Sequence, residues 1–173
     1  MEHGFIDSEP ESSVDDSESY SVKELYDRFP SPFRNFKVAV YIRYQLNCLN
    51  PDYLKNTMSD YDEMLSRYSE WSFVDYYIDN ASPGTNLSEL ESWSRLMADC
   101  ESGKVNLILV GSAFHFDLSE LYLCVRFLAS LDPPVGVFFE EQNLYSISPG
   151  SLFLEKDSAS LINNLHRDKR RKR

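Results

Sequence analysis

No apolar run in the sequence approaches the roughly 18 residues that a membrane-spanning helix needs. The N-terminus also lacks the basic stretch followed by an apolar stretch that marks a signal peptide. These two absences predict a cytoplasmic protein that does not contact a membrane.

Motifs that bind metals, nucleotides or acyl groups are also missing. The three cysteines and three histidines are scattered, and no two cysteines form a C-x-x-C pair. No G-x-G-x-x-G or Walker loop follows a predicted strand, and no G-x-S-x-G elbow is present. We therefore expect no cofactor and no metal site. Cys100 and Cys124 lie on apolar helix faces, where we expect them to be buried.

Charge is unevenly placed along the chain. The net charge is −11, the first 20 residues carry −7 without any Lys or Arg, and residues 165–173 carry +5. The acidic remainder is unfavourable for DNA, because affinity for duplex DNA depends largely on Lys and Arg contacts to phosphate. This distribution of charge supports at most a weak DNA contact through the basic C-terminal tail, residues 165–173. The candidate nucleic-acid-binding residues are Arg167, Lys169, Arg170, Arg171, Lys172 and Arg173.

Composition divides the chain into four segments. Residues 1–20 are acidic and serine-rich, which predicts disorder, and residues 21–35 indicate a short helix followed by a proline-containing linker. Residues 36–150 form the predicted α/β domain, and residues 151–173 form a predicted C-terminal helix with the basic tail.

Apolar patterns of strand and helix type alternate along the chain from residue 36. Strands are predicted at 36–44, 71–79, 105–111 and 134–141, and helices at 51–68, 90–100, 118–131 and 151–166. Ser88 and Glu91 form a capping-box pattern for the second of these helices, and Gly103 suits its end. The alternation predicts a three-layer α/β domain with a mostly parallel sheet of four to five strands.

Polar residues follow three of the predicted strands, where α/β proteins usually place their functional groups. They are Arg43, Gln45, Asn47 and Cys48 after the first strand, Asp79, Asn80, Ser82 and Thr85 after the second, and Ser112, His115 and Asp117 after the third. A triad of Ser112, His115 and Asp79 is a weak pattern. Asp79 is a candidate for a carboxylate base or a metal ligand, although the favoured interpretation is a solvent-exposed loop residue without either role. A structural or surface role is favoured for His115.

Four strings in this domain resemble a known family. The strings "VAVYIRYQ", "VDYYIDNASPGTN", "WSRLMADCESGKVNLILVGSAFHF" and "VGVFFEEQN" are similar, in order and spacing, to the catalytic domain of serine recombinases, the resolvase/invertase family. The resemblance runs from Lys37 to about Ser148. It implies the resolvase-like catalytic-domain fold. In an active member it also implies a serine that attacks a DNA phosphate while arginines stabilise the transition state.

The motif positions of that family are only partly kept in this sequence. Tyr41 and Arg43 match, but Gln45 stands at the serine position, and a carboxamide cannot form the phosphoserine ester. In the loop after the second strand, Asp79, Gly84 and Thr85 match, while Pro83 replaces a serine. The three further arginine positions are occupied by Leu90, His115 and Leu118.

The resemblance therefore implies a degenerate site with no intact catalytic set. Its positions are Tyr41, Arg43, Gln45, Asp79, Leu90, His115 and Leu118. It predicts an inactive member that acts by protein–protein contact, with an active serine recombinase or a second copy as partner. Such a protein would regulate or support the site-specific recombination of a mobile element.

Two alternatives to this interpretation stay open. One is a residual recombinase or a phosphodiester-cleaving site that uses Ser82, Ser112 or a water molecule. The other is an acidic interaction module or DNA mimic, with a negative patch at Asp60, Asp62, Glu63 and Glu70.

Overall fold

The computed structural model describes residues 30–31, 34–45, 50–82 and 84–147. Within them, strands form at Lys37–Tyr44 (β1), Ser72–Asn80 (β2), Leu107–Val110 (β3), Gly136–Phe139 (β4) and Leu144–Tyr145 (β5). Helices form at Tyr53–Leu65 (α1), Glu91–Glu101 (α2) and Leu118–Ser130 (α3). Short 3-10 turns precede α2 and α3.

A single sheet connects these strands in the order β2-β1-β3-β4-β5. Strands β1 to β4 run parallel to one another, and β5 pairs with β4 in the antiparallel direction. The predicted mostly parallel sheet of four to five strands is confirmed. Because parallel strands end at the same edge of a sheet, the loops that follow β1 to β4 all lie at that edge.

Both faces of the sheet are buried, which explains why its central strands are apolar throughout. On one face, Ala39 and Tyr41 of β1 belong to a core cluster with residues of α2 and α3. On the other face, Val38, Val40 and Ile42 belong to a second cluster with residues of α1. The sheet therefore lies between two helical layers, and the predicted three-layer α/β architecture is confirmed.

The N-terminus of α2 differs from the sequence prediction. Ser88 lies inside the 3-10 turn Leu87–Glu89, and α2 begins at Glu91 after Leu90, whose side chain makes no capping hydrogen bond. The predicted capping box of Ser88 and Glu91 is therefore wrong. At the other end of α2, Gly103 has a φ of 77°, a left-handed conformation that favours glycine after a helix, so this predicted stop is confirmed.

Several predicted segments lie outside the described residues. They include the acidic N-terminal segment, most of the 21–35 linker, Cys48, the 151–166 helix and the basic tail. The domain boundaries at residues 36 and 150 stay predictions. Of the two cysteines that the structure describes, Cys100 is buried as predicted and Cys124 is half-buried. None of the helices in the described ranges is long and apolar enough to cross a membrane.

Candidate functional site

The C-terminal ends of β1 and β2 bring the predicted site residues together. Side chains alternate along a strand, so Tyr41, Arg43 and Gln45 project toward the sheet face that α2 and α3 cover. In the β1–β2 register, Tyr41 lies opposite Tyr77, and Arg43 lies opposite Asp79. Tyr41, Arg43 and Asp79 are all buried, while Gln45, just past the end of β1, is half-buried.

Asp79 is a structural carboxylate that caps α2. Its Oδ1 accepts a hydrogen bond from the backbone N–H of Ser92 at 3.0 Å, and its Oδ2 accepts one from the N–H of Trp93 at 2.9 Å. The hydroxyl of Tyr41 also donates to Oδ2, at 3.0 Å. Asp79 is only 8% exposed, so the favoured interpretation of an exposed loop residue is wrong. Desolvation of Tyr41, with the neighbouring Asp79 charge, raises the pKa of this tyrosine above its usual range.

These hydrogen bonds also exclude the candidate catalytic triad of Ser112, His115 and Asp79. The two oxygens of Asp79 bond to Tyr41 and to the first turn of α2 rather than to an imidazole. Ser112 is 1% exposed, and its Oγ accepts a hydrogen bond from Nε2 of Gln142 at 3.2 Å. A serine buried in this way lacks the access to substrate that nucleophilic attack requires.

Arg43 uses only part of its guanidinium. Its Nη2 donates to the backbone carbonyls of Ser82 and Thr85, the latter at 3.0 Å. The Oγ of Ser82 and the Oγ1 of Thr85 lie 3.1 Å apart and share a hydrogen bond. Arg43 is 7% exposed, yet its Nε and Nη1 have no partner among the described residues. Arg43 therefore holds the loop after β2 with only one of its three guanidinium nitrogens paired among the described residues.

Gln142 positions the loop after β3, a role that no local pattern in the sequence indicates. Its Oε1 accepts a hydrogen bond from the N–H of Ala113 at 2.9 Å, in addition to the bond that its Nε2 donates to Ser112. Gln142 lies 30 residues away from Ser112 in the chain, so a local pattern does not connect the two. A glutamine in a turn has many possible roles, and only the folded structure identifies this one.

A cleft of about 330 Å³ opens between α1 and the ends of β3 and β4. The described residues that line it include three carboxylates and one imidazole but no Lys or Arg; they are Tyr53, Thr57, Asp60, Tyr61, Met64, Gly111, His115, Glu140 and Glu141. Desolvation is the main cause that lowers the pKa of His115, which favours the neutral imidazole. Desolvation also raises the pKa of Glu140, while a hydrogen bond from Tyr61 opposes that shift. The lining is therefore acidic or neutral.

The two leucines that the resemblance aligns with arginines of the family lie in or against the core. Leu90 is 4% exposed and belongs to the cluster shared by α2 and α3. Leu118, the first residue of α3, is partly buried and packs against the same cluster. Both positions are therefore occupied by packing side chains. His115, at the remaining arginine position, lines the acidic cleft.

The predicted acidic patch near α1 does not form one free surface. Asp62 accepts a hydrogen bond from the hydroxyl of Tyr76 at 2.5 Å, and Glu63 forms an ion pair with Arg67 at 2.7 Å. Asp60 faces the cleft instead. In the parts of the chain that the structure describes, no group of three or more His, Cys, Asp or Glu side chains is arranged to hold a metal. The basic tail proposed to contact DNA is not among those parts.

Two solved structures with a similar fold come from an integrase and from a resolvase family recombinase. The N-terminal catalytic domain of TP901-1 integrase is 24% identical over 76% of this chain and 97% of that one, with a TM-score of 0.55. A resolvase family site-specific recombinase from Streptococcus pneumoniae is 18% identical over 79% of this chain and 89% of that one, with a TM-score of 0.51. No protein-family model and no curated protein matches the sequence. The fold is therefore that of resolvase-type serine recombinase catalytic domains, as the sequence motifs predicted.

Proposed function

We propose that this protein is a serine-recombinase relative without phosphoryl-transfer activity, which acts in site-specific DNA recombination through contact with another protein. Its partner is an active serine recombinase or a second copy of the chain. The proposal rests on one observation above all: β1 delivers Tyr41 and Arg43 to the carboxyl edge of the sheet, and the position that follows them is Gln45.

A glutamine at this position removes the covalent step of the reaction. A serine nucleophile must lose its hydroxyl proton and form an ester bond with phosphorus. The bond between phosphorus and the 3′ oxygen of DNA breaks at the same time, and that oxygen takes up a proton to become a 3′ hydroxyl. A primary amide has no ionisable hydroxyl with which to form that ester. The neighbouring serines do not offer an obvious substitute, because Ser112 is buried and Ser82 shares its hydroxyl bond with Thr85.

The charges around the carboxyl edge of the sheet support the same proposal. A phosphoryl-transfer site needs positive side chains where negative charge develops in the transition state. Here Leu90 and Leu118 pack in or against the core, and His115 lies among carboxylates in the acidic cleft. Arg43 alone remains, and it is partly used to hold the loop after β2. A DNA phosphate would meet net repulsion along the cleft.

The decisive experiment is a search for a covalent protein–DNA adduct. Purified protein is incubated with end-labelled DNA and with supercoiled plasmid carrying candidate recombination sites, and products are separated under denaturing conditions. We expect neither an adduct nor relaxed plasmid. We expect the same result for Gln45→Ser, because Leu90, His115 and Leu118 still occupy the three further arginine positions. An active serine recombinase on its own site serves as the positive control.

A labelled adduct or relaxed plasmid with the wild-type chain would overturn the loss of activity. The partner half of the proposal is tested separately, by expressing the chain together with an active serine recombinase from the same host. The expected result is a change of several-fold in recombination frequency that persists in Gln45→Ala. An unchanged frequency, with no self-association in sedimentation, would overturn contact with either partner.

A further inference from the structure

An open groove lies between α2 and α3. It encloses about 640 Å³, and the apolar side chains that line it are Leu87, Trp93, Met97, Ala98 and Cys124. Leu87 and Trp93 belong to the core cluster on this side of the sheet, and Met97 and Cys124 pack against that cluster. The groove therefore leaves part of the hydrophobic core open between the two helices.

The apolar surface continues from the groove along α3. Leu123 is 68% exposed and Phe127 is 44% exposed, and both share one side of the helix with Cys124. They are two of the three large apolar side chains that are exposed in the described part of the chain. Large apolar side chains that adjoin an apolar groove mark a contact surface. The groove together with Leu123 and Phe127 is called the α2–α3 face below.

A carboxylate lies toward each end of this groove. Glu120 is in the first turn of α3, Glu101 is the last residue of α2, and both line the groove. Each helix joins two parallel strands, so each runs from the carboxyl edge of the sheet to its amino edge. Glu120 is therefore near the carboxyl edge and Glu101 near the amino edge. The helix α2 spans about 16 Å, which sets the length of the groove between them.

No cation neutralises these two carboxylates. The described residues that line the groove include no Lys or Arg. Arg95 and Lys104, on and just after α2, are each in an ion pair with an aspartate. Arg126 follows Cys124 by two positions, which is about 200° around α3, so it lies on the side away from the groove. The groove is therefore apolar along its floor and negative toward both ends.

We propose that the α2–α3 face binds a basic amphipathic helix of a partner protein. The apolar stripe of that helix lies in the groove, and a Lys or Arg lies beside each of Glu101 and Glu120. At 1.5 Å per residue, the length of the groove places these two cations about seven to ten residues apart. A second copy that contributed the same face would bring its own Glu101 and Glu120 against these carboxylates, so charge favours a different chain.

This assignment rests on the protein contact proposed above, but its test involves no recombination. In full-length Cys48→Ser protein, Cys100 is buried with its pKa raised to about 12, so thiol modification reports on Cys124 in the groove. The test ligand is a synthetic helical peptide with leucines at positions i, i+3, i+4 and i+7 and lysines at both ends of this stripe. We expect a saturating amount to slow modification of Cys124 at least about tenfold.

A peptide with glutamates in place of the lysines is the matched control, and we expect it to give no protection. Equal rates with and without the lysine peptide would overturn the proposal, and so would equal protection by both peptides. A Cys124 that is already as unreactive as Cys100 before any peptide is added would show that the chain covers its own groove, which would also overturn it.

Two phenylalanines with the same exposure test where the lysine peptide binds. Phe127 on α3 and Phe73 on β2 are both 44% exposed, and Phe73 contacts Tyr76, which packs against the α1-side cluster. We expect Phe127→Ser to weaken peptide binding at least about tenfold and Phe73→Ser to change it less than about twofold. Equal losses in the two variants would mean that the peptide does not select the α2–α3 face.

A charge reversal tests the ends of the groove. Glu101 is chosen because Glu120 also accepts a hydrogen bond from the N–H of Leu87 at 2.8 Å. Glu101→Lys should weaken binding of the lysine peptide and allow the glutamate peptide to bind, while Glu63→Lys on α1 makes the same change of charge and should do neither. Identical behaviour of the two variants would show that the peptide responds only to net charge and would overturn the proposal.

Sedimentation velocity of the full-length protein separates a second copy from a different partner. Self-association that Phe127→Ser abolishes would assign the α2–α3 face to a second copy and would overturn the proposal. Recombination frequency is a separate readout. A peptide that fails to bind, with a frequency that still changes on co-expression, would overturn this surface and leave the proposed function standing; the reverse pair of results would overturn the role in recombination alone.

Discussion

Asp79 and Arg43 lie opposite each other in the register of β1 and β2, yet their polar atoms are in very different situations. Asp79 accepts three hydrogen bonds, from Tyr41 and from two backbone N–H groups of α2. Arg43 donates from one nitrogen to a loop and has two buried nitrogens without partners among the described residues. Both carboxylate oxygens of Asp79 are therefore hydrogen-bonded, whereas only one of the three guanidinium nitrogens of Arg43 is paired among the described residues.

This difference separates two reasons for keeping a motif residue. Asp79 satisfies the first turn of α2 and the buried Tyr41 hydroxyl, so folding alone is a sufficient reason for an aspartate there. Its match to the recombinase motif therefore says little about activity. Arg43, with two donors unpaired within the described ranges, has no such complete structural explanation, because a buried cation with unpaired donors costs stability. The two residues give opposite expectations when they are removed.

The largest effect is expected for Asp79→Ala. The substitution leaves the N–H groups of Ser92 and Trp93 uncapped and the buried Tyr41 hydroxyl without an acceptor. We expect the free energy of unfolding to fall by about 2–4 kcal/mol. Urea denaturation followed by circular dichroism measures this change.

Asp75→Ala is the matched control on the same strand. Asp75 forms a surface ion pair with Arg95 at 2.9 Å, and both side chains are about half exposed. Exposed pairs of this kind contribute about 0–1 kcal/mol. If the two substitutions cost the same, Asp79 is not the structural cap that its geometry indicates.

The role of Asp79 could not be predicted from the sequence, whereas the sheet could. The sheet, its three layers and the order of its elements followed from the alternation of apolar patterns, because burial periodicity is a local property of the sequence. The cap of α2 is not local. Asp79 precedes the helix start at Glu91 by twelve positions, while Ser88 and Glu91 mimic a capping box that the chain does not use.

The other contacts of the site could not be predicted from the sequence either, because they also join residues that are distant in the chain. Gln142 bonds to a loop 30 residues away, and the cleft brings α1 together with residues after β3 and β4. The residue types that line the cleft are visible in the sequence, but their convergence depends on tertiary packing. The resemblance to serine recombinases located Gln45, Leu90 and Leu118, and only the structure placed both leucines in or against the core.

A smaller effect is expected for Tyr77→Phe, at a second bond between β2 and α2. The Tyr77 hydroxyl donates to Asp99 at 2.5 Å, and this bond is the main cause that lowers the pKa of Asp99 below 3.8. We expect a loss of about 1 kcal/mol at neutral pH, where Asp99 is ionised in both the folded and the unfolded chain.

The pH dependence sharpens this prediction. Because the folded-state pKa of Asp99 is depressed, its contribution is fully present above the unfolded value of 3.8 and disappears as the pH falls through the lower folded value. The difference between wild type and Tyr77→Phe should therefore shrink as the pH falls from 3.8 toward that lower value. Urea titrations at about pH 7 and about pH 3 compare the two proteins. A difference that stays constant between those two conditions would show that Tyr77 stabilises the fold by packing alone.

The smallest effect is expected for Arg43→Met, which tests the other side of the comparison. Methionine keeps much of the side-chain volume, removes the buried charge and gives up the bonds to the carbonyls of Ser82 and Thr85. Ser82 is exposed and Thr85 is half-buried, so water can replace those bonds. The opposing terms should leave the free energy of unfolding within about 1 kcal/mol of wild type. A loss as large as that of Asp79→Ala would mean that Arg43 is also kept for folding, and its match to the recombinase motif would then carry no more functional weight than that of Asp79.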